Sequence, residues 1–62
     1  MFKENLYSIR KARKITQATL GKKLKVSSAT VGHWESGYSE PSVENIKKLV
    51  KLLKTTYDEL LR

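Results

Sequence analysis

The apolar residues of this chain recur every three or four positions, the spacing of an amphipathic helix, and no stretch alternates apolar and polar residues as a half-buried strand would. They group into five segments. In chain order the segments contain Leu6, Ile9 and Ala12 or Arg13; Leu20 and Leu24; Val31 and Trp34; Val43, Ile46, Leu49, Val50 and Leu53; and Leu60 and Leu61. The pattern predicts an all-α domain of five helices, with the fourth the longest because its apolar stripe is the fullest.

Capping residues set the predicted ends of these helices, since a hydroxyl before the first turn accepts a backbone N–H that the helix leaves free. The predicted N-caps are Thr16 before a helix over 17–23, Ser27 or Ser28 before one ending near Ser36, Ser42 after Pro41, and Thr56. Gly37 stands where a C-cap glycine belongs. Thr56 and Glu59 have the spacing of a capping box. Together these signals predict one domain without a linker.

The charge of the chain is far from balanced. Thirteen Lys and Arg side chains face six Asp and Glu side chains, which gives a net charge of +7 in only 62 residues. Residues 1–35 carry eight basic and two acidic side chains, net +6, whereas residues 36–62 carry five and four, net +1. A polyanionic partner that binds the N-terminal half is therefore expected.

Several function classes are disfavoured by what the composition lacks. The chain has no cysteine, a single histidine and no G-x-S-x-G motif, so it offers no nucleophile–base pair and no metal-ligand set. We therefore expect no enzyme activity, no cofactor, no metal and no small-molecule substrate. The chain also has no apolar run of membrane-spanning length and no signal-peptide pattern at its start, which predicts a cytoplasmic protein without a membrane partner. A cationic membrane-active peptide is disfavoured too, because the short helices must bury their apolar faces against one another.

Helices two and three, joined by a turn over residues 23–26, have the pattern of a helix-turn-helix. A more specific likeness rests on Ile9-Arg10, Thr16-Gln17, Leu20, Leu24, Val26-Ser27, Val31, Trp34-Glu35-Ser36-Gly37, Pro41-Ser42, Leu49 and the closing Thr56-Tyr57-Asp58-Glu59-Leu60-Leu61. In these residues the chain resembles the Cro/CI (Xre-type) helix-turn-helix family of phage and bacterial regulators over almost its whole length. The resemblance implies a compact five-helix, lambda-repressor-like fold and a sequence-specific regulator, a repressor bound as a dimer to a pseudo-palindromic operator in double-stranded DNA.

The third helix is the predicted recognition helix. At about 100° per residue, Val31, Trp34 and Glu35 share one side of it, and the opposite face carries small residues that let the backbone approach base edges. The predicted base contacts are Ser27, Ser28, Ala29, Gly32 and His33. No Arg, Asn or Gln lies on this face to make a bidentate base contact, so we expect DNA shape to add to specificity. For His33 the alternative is a plain exposed surface histidine.

Phosphate contacts are expected on both sides of the recognition helix. The predicted set is Thr16, Gln17, Thr30, Ser36, Tyr38 and Ser39. Gln17 resembles the family's phosphate-binding glutamine at the start of helix two, where side-chain amide and backbone N–H groups point at one anion; a plain polar first-turn residue is the alternative. Three lysines, Lys22, Lys23 and Lys25, either reach phosphates or simply solvate the surface.

Five residues are assigned structural roles. Trp34 is predicted to lie in the core. Arg10 and Glu35 resemble the family's partly buried ion pair, which ties helix one to helix three. Lys25 departs from the family at the turn position where glycine is common, so either a lysine adopts left-handed geometry or the turn differs. Gly21 stands where an alanine is usual, which keeps the space at the helix crossing but weakens helix two.

Two questions stay open at the level of sequence. Leu52, Tyr57 and Leu61 form either an apolar dimer surface or part of the intramolecular packing of the fifth helix. The chain is also either a minimal Cro-like protein or a DNA-binding domain cut from a longer repressor. The competing function is a protein-interaction module, such as the antitoxin of a toxin–antitoxin pair.

Overall fold

The computed structural model describes all 62 residues and contains five α-helices and no strand. In chain order the helices are α1 (Phe2–Ala12), α2 (Gln17–Leu24), α3 (Ser28–Ser36), α4 (Val43–Leu52) and α5 (Tyr57–Leu61). The predicted all-α class and the number of helices are confirmed. None of the helices has the length and apolarity needed to cross a lipid bilayer.

Side-chain hydroxyls cap four of the five helices at their N-termini. Thr16, Ser27, Ser42 and Thr56 each accept a hydrogen bond from the backbone N–H three residues later. Of the two candidate serines before α3, the cap is therefore Ser27. The capping box of α5 forms only in part, because the Glu59 carboxylate accepts from the Thr55 hydroxyl at 2.9 Å.

Three details of the predicted helices differ from the structure. The longest helix is α1 with 11 residues, not α4 with 10. The prediction was wrong because the first turn of α1 is mostly polar and adds little to the apolar pattern. Lys54 adopts left-handed geometry and ends α4 immediately after its C-cap Leu53, although the apolar stripe reaches Leu53. The second helix ends at Leu24, one residue later than predicted.

One hydrophobic core holds the five helices together. Its buried members are Leu6, Leu20, Leu24, Val31, Trp34, Leu49, Leu53 and Leu60. Trp34 is only 3% exposed, which confirms its predicted place in the core. Val43 was expected in the apolar stripe of α4 but is 72% exposed. It is the first residue of the helix and lies about 70° from the centre of the stripe, beyond the reach of the neighbouring helices.

Two polar side chains, one in α1 and one at its C-cap, tie the C-terminal helices to the rest of the domain. The Arg13 guanidinium donates to the carbonyls of Leu53 and Lys54 at 2.7 and 3.0 Å. The Asn5 amide donates to the carbonyls of Leu60 and Arg62 at 3.1 and 3.0 Å. Because the last carbonyls of a helix have no partner within it, these donors satisfy the ends of α4 and α5. They fix both helices against α1.

Both departures from the family pattern affect the turn between α2 and α3, Lys25 within it and Gly21 on the helix that packs against it. Lys25 adopts left-handed geometry, with φ 63° and ψ 40°, so the turn is kept and a lysine occupies the conformation that favours glycine. Gly21 lies where the chain returns toward α2: a Cβ there would be 2.7 Å from the carbonyl oxygen of Val26. The missing side chain thus lets α3 start close to α2.

Candidate nucleic-acid interface

The outer face of α3 carries small, exposed side chains. Ser28, Ala29 and His33 are exposed, and Gly32 is half-buried between them. On the opposite side, Val31 is buried in the core together with Trp34. The helix therefore presents the predicted contact face to solvent while its apolar side anchors it, as the sequence pattern predicts.

Gln17 borders this face at the start of α2. Its side chain lies beside Gly32, where an added Cβ would be 3.5 Å from Nε2 and 3.6 Å from Oε1. Nε2 donates to Oε1 of Glu35 at 3.0 Å. One N–H of the amide is thus engaged within the domain. The second N–H remains for a bound group.

The Arg10 and Glu35 side chains form a bidentate ion pair in the interior. Nε of Arg10 donates to Oε2 of Glu35, and Nη2 donates to Oε1 at 3.0 Å. Nη1 donates to the carbonyl of Ile15 at 2.7 Å. The hydrogen bond to Glu35 raises the pKa of the Arg10 guanidinium above its usual value and outweighs the opposing effect of burial. The pair joins α1, the segment before α2, and α3, and so fixes the direction of the recognition helix.

The turn after α3 is held by the carbonyl of His33. It accepts from the backbone N–H groups of Tyr38 at 2.9 Å and Ser39 at 3.3 Å, and from the Ser36 hydroxyl at 3.1 Å. The Tyr38 ring is 79% exposed and tilts against the His33 imidazole, with 4.8 Å between ring centroids. Tyr38 is thereby placed at the edge of the outer face of α3.

Several hydroxyls predicted to contact DNA are already engaged in capping. The Thr16 hydroxyl accepts from the N–H of Thr19 at 3.1 Å and donates to its hydroxyl at 3.0 Å. The Ser27 hydroxyl accepts from the N–H of Thr30 at 3.0 Å, and the two hydroxyls lie 2.9 Å apart. These side chains fix the first turns of α2 and α3, where free backbone N–H groups also lie.

Positive charge surrounds the helix-turn-helix. Lys22, Lys23 and Lys25 are exposed, and none takes part in an ion pair. In the C-terminal half, by contrast, the exposed cations Lys48 and Arg62 pair with carboxylates on their own helices. Lys47, Lys51 and Lys54 also form no ion pair, so the C-terminal half keeps some unpaired positive charge. The larger net positive charge lies in residues 1–35, which include most of the helix-turn-helix, in agreement with the charge distribution along the sequence.

The predicted dimer surface is divided by the structure. Tyr57 is 48% exposed and Leu61 is 49% exposed, and both lie on α5. Leu52 is half-buried and packs against the core. The buried part of its side chain therefore serves intramolecular packing, the alternative to a dimer contact. An exposed apolar patch thus remains on α5 alone.

Sequence reasoning missed the contacts that support the site. It assigned Gln17 to a phosphate without its bond to Glu35, and Arg10 to Glu35 without its bond to the Ile15 carbonyl. It also missed Asn5 and Arg13, whose partners lie 40 to 57 residues away along the chain. No local pattern indicates such distant partners. Only the presence of an asparagine and an arginine in the first segment hints at tertiary polar contacts.

Comparison with known proteins identifies the fold and the family. The sequence model of the helix-turn-helix family matches residues 6–60, which is most of the chain. The chain belongs to the Cro/CI-type helix-turn-helix family. Two curated members are similar over nearly all of its length: "Repressor protein C2" of Salmonella phage P22, 41% identical over 59 residues, and "HTH-type transcriptional activator BcrR" of Enterococcus faecalis, 38% identical over 60. The matched residues make up 95% and 97% of this chain, respectively, but only 27% and 29% of the length of the two relatives.

A solved structure of this helix-turn-helix family shows the same arrangement of helices. It is the P22 c2 repressor protein in complex with synthetic operator 9T, and it matches this chain with a TM-score of 0.88 and 38% sequence identity. The match covers 97% of this chain and 91% of that one. The five-helix, lambda-repressor-like fold expected from the sequence is therefore confirmed.

Proposed function

We propose that this chain binds double-stranded DNA in a sequence-specific manner and regulates transcription by occupying an operator. The proposal rests chiefly on one observation: α3 presents an exposed face of small side chains, with the N-terminus of α2 and the α3–α4 turn beside it. A helix with such a face fits the major groove, and flanking backbone N–H groups and hydroxyls suit phosphates. The likeness to the repressor–operator complex supports this proposal.

Base recognition is assigned to the outer face of α3. The Ser28 hydroxyl donates to or accepts from several bases, the Ala29 methyl suits a thymine methyl, and the His33 imidazole can donate to N7 or O6 of guanine. Gly32 leaves room for the close approach of the helix. Ser27 lies at the N-cap and reaches the groove only from the end of the helix.

Phosphate binding is assigned to the two edges of this face. On one edge the free N–H of Gln17 and the first backbone N–H groups of α2, beyond Thr16, meet one strand. The other edge is the α3–α4 turn with Ser36, Tyr38 and Ser39. The Thr30 hydroxyl, shared with Ser27, supports the N-cap and contributes less.

We assign dimer formation to the exposed patch of Tyr57 and Leu61, with Leu52 as its inner border. A two-fold dimer places two recognition helices about one helical turn of DNA apart, which requires a pseudo-palindromic operator.

The sign of regulation follows from where the operator lies. The two relatives named above are an activator and a repressor, so occupancy near a promoter suits either activation or repression; we favour repression. Such a regulator acts on a bacterial or phage chromosome in the cytoplasm. We assign binding and no catalysis to the site, because those of its hydroxyls that donate to a protein atom are hydrogen-bonded to other hydroxyls or to a carbonyl, and none is paired with a carboxylate that would activate it.

A matched pair of charge variants tests the proposed interface. Ser28→Glu puts a carboxylate on the groove face, and Ser8→Glu puts the same charge on an exposed position of α1. A carboxylate in the first turn of α3 complements the helix dipole, so Ser28→Glu is expected to stay folded. Binding to a fluorescent duplex obtained by selection from a random pool is expected to fall at least tenfold in Ser28→Glu and to stay within about twofold in Ser8→Glu. Equal binding by the two variants would contradict the assignment of α3 to the groove.

A further inference from the structure

Lys3 lies against the turn that follows α3. If a Cβ were added to Gly37, the C-cap of α3, it would be 3.0 Å from Cδ of Lys3 and 3.4 Å from Nζ. Gly37 has a φ of 84°, and its bare Cα leaves the surface along which the lysine side chain runs. The ammonium group of α1 is thus placed beside the α3–α4 turn, 34 residues away along the chain.

The charge of Lys3 is free to meet an anion. It forms no ion pair within the domain, since the four ion pairs are Met1–Glu4, Arg10–Glu35, Glu44–Lys48 and Asp58–Arg62. Glu40 is the one carboxylate of the turn, and it borders the same groove as Lys3 without pairing with it. The C-terminal dipole of α3 also attracts the ammonium, and its three N–H groups, which face solvent and donate to no protein atom, stay available to an anion.

We propose that Lys3 is a further DNA-contacting residue, which donates to a backbone phosphate of the strand that passes the α3–α4 turn. This inference rests on the proposed function. Gln17 lies beside Gly32 on one edge of the recognition face, whereas Lys3 lies beside Gly37 at the C-terminal end. A helix in the major groove has a phosphate strand on each side, and Lys3 supplies a charged donor on the side where the turn otherwise offers only hydroxyls and backbone N–H groups.

The variant that tests this proposal is Lys3→Met. Methionine keeps an unbranched chain along Gly37 and removes the charge. The matched control is Lys51→Met, which removes the same charge from the last turn of α4. The α3–α4 turn leads into the first residue of α4, Val43, and Lys51 lies about 12 Å farther along the helix axis. Association with a mixed-sequence duplex of about 30 base pairs is measured at several salt concentrations. We expect the slope of log K against log salt to fall by about 0.9 in Lys3→Met and to change little in Lys51→Met.

A second readout separates contact from helix capping. On the duplex obtained by selection, where the register is fixed, ethylation of individual phosphates is expected to reveal one position in each half-site whose modification weakens binding by the wild-type chain but not by Lys3→Met. A thermal melt of the free protein reports the effect on the C-terminus of α3. Equal slopes in Lys3→Met and Lys51→Met, with an altered melting temperature only in Lys3→Met, would overturn the proposal and leave DNA binding intact. Absence of salt-dependent binding by the wild-type chain would instead overturn the proposed function and this inference with it.

Discussion

The Gln17 amide and the Glu35 carboxylate are joined by a hydrogen bond of 3.0 Å, so the first residue of α2 is held by the recognition helix. Glu35 is held in turn by the guanidinium of Arg10. The orientation of the candidate phosphate-binding amide and that of α3 therefore depend on one buried carboxylate.

Replacing Glu35 alone is expected to destabilise the fold strongly. Glu35→Leu leaves the buried Arg10 guanidinium without its carboxylate, which costs about 3–5 kcal/mol of unfolding free energy. The double variant Arg10→Met/Glu35→Leu replaces the pair by apolar groups of similar volume and is expected to recover most of that loss. Urea unfolding followed by circular dichroism measures both. A double variant no more stable than the single one would show that the stranded charge is not the cause.

The two helical glycines are expected to respond in opposite ways to alanine. In Gly21→Ala the new methyl group meets the Val26 carbonyl oxygen at 2.7 Å, so overpacking of about 1–3 kcal/mol outweighs the gain in helix propensity. In Gly32→Ala the methyl makes ordinary contact with the Gln17 side chain, and α3 gains about 0.5–1 kcal/mol. Thermal melts of the two variants are the measurement. A Gly21→Ala variant that melts above the wild type would contradict the close approach at the turn.

The left-handed backbone of Lys25 is expected to lower the free energy of unfolding. Lys25→Gly relieves left-handed geometry and is expected to stabilise the domain by up to about 1 kcal/mol. Lys23→Gly removes the same charge from within α2 and is expected to destabilise it by about 1 kcal/mol. Melting curves at equal salt distinguish the two, since charge effects are shared. Destabilisation by both changes would indicate that the turn does not carry strain.

The sequence predicts the local features of this chain better than its tertiary contacts. The caps Thr16 and Ser42 and the buried faces of α2 and α3 depend on neighbours within four residues, so periodicity and residue type sufficed. Val43 was misplaced because a helix end can extend past the core. The Gln17–Glu35 bond required the packing of two helices.

The same limit applies to the contact surface. The sequence placed the small residues of α3 on one face, because that follows from the helical repeat. The contact of Lys3 with Gly37 and the support of α5 by Asn5 depend on how α1 crosses the domain. The division of the predicted dimer surface, with Leu52 packed against the core and Leu61 exposed to solvent, likewise follows from tertiary packing, which the helical wheel of a single helix does not contain.

His33 and Tyr38 are expected to affect binding differently. His33→Ala removes the proposed base contact and is expected to relax the preference at one base pair of each half-site, where a mismatch normally costs about 1–3 kcal/mol. Tyr38→Phe keeps the ring against His33 but loses the hydroxyl, so it is expected to weaken all duplexes alike. Affinities for a set of single-base operator variants separate the two patterns. Uniform weakening by His33→Ala would remove it from base recognition.

The most direct test of sequence-specific DNA binding is selection of bound duplexes from a random pool at about 150 mM salt, where purely electrostatic binding is weak. The account predicts enrichment of an inverted repeat whose half-sites lie about one helical turn apart. The Ser28→Glu variant serves as the control and is expected to enrich nothing. A folded wild-type chain that enriches no sequence would contradict sequence-specific DNA binding, and a protein partner would then become the leading hypothesis.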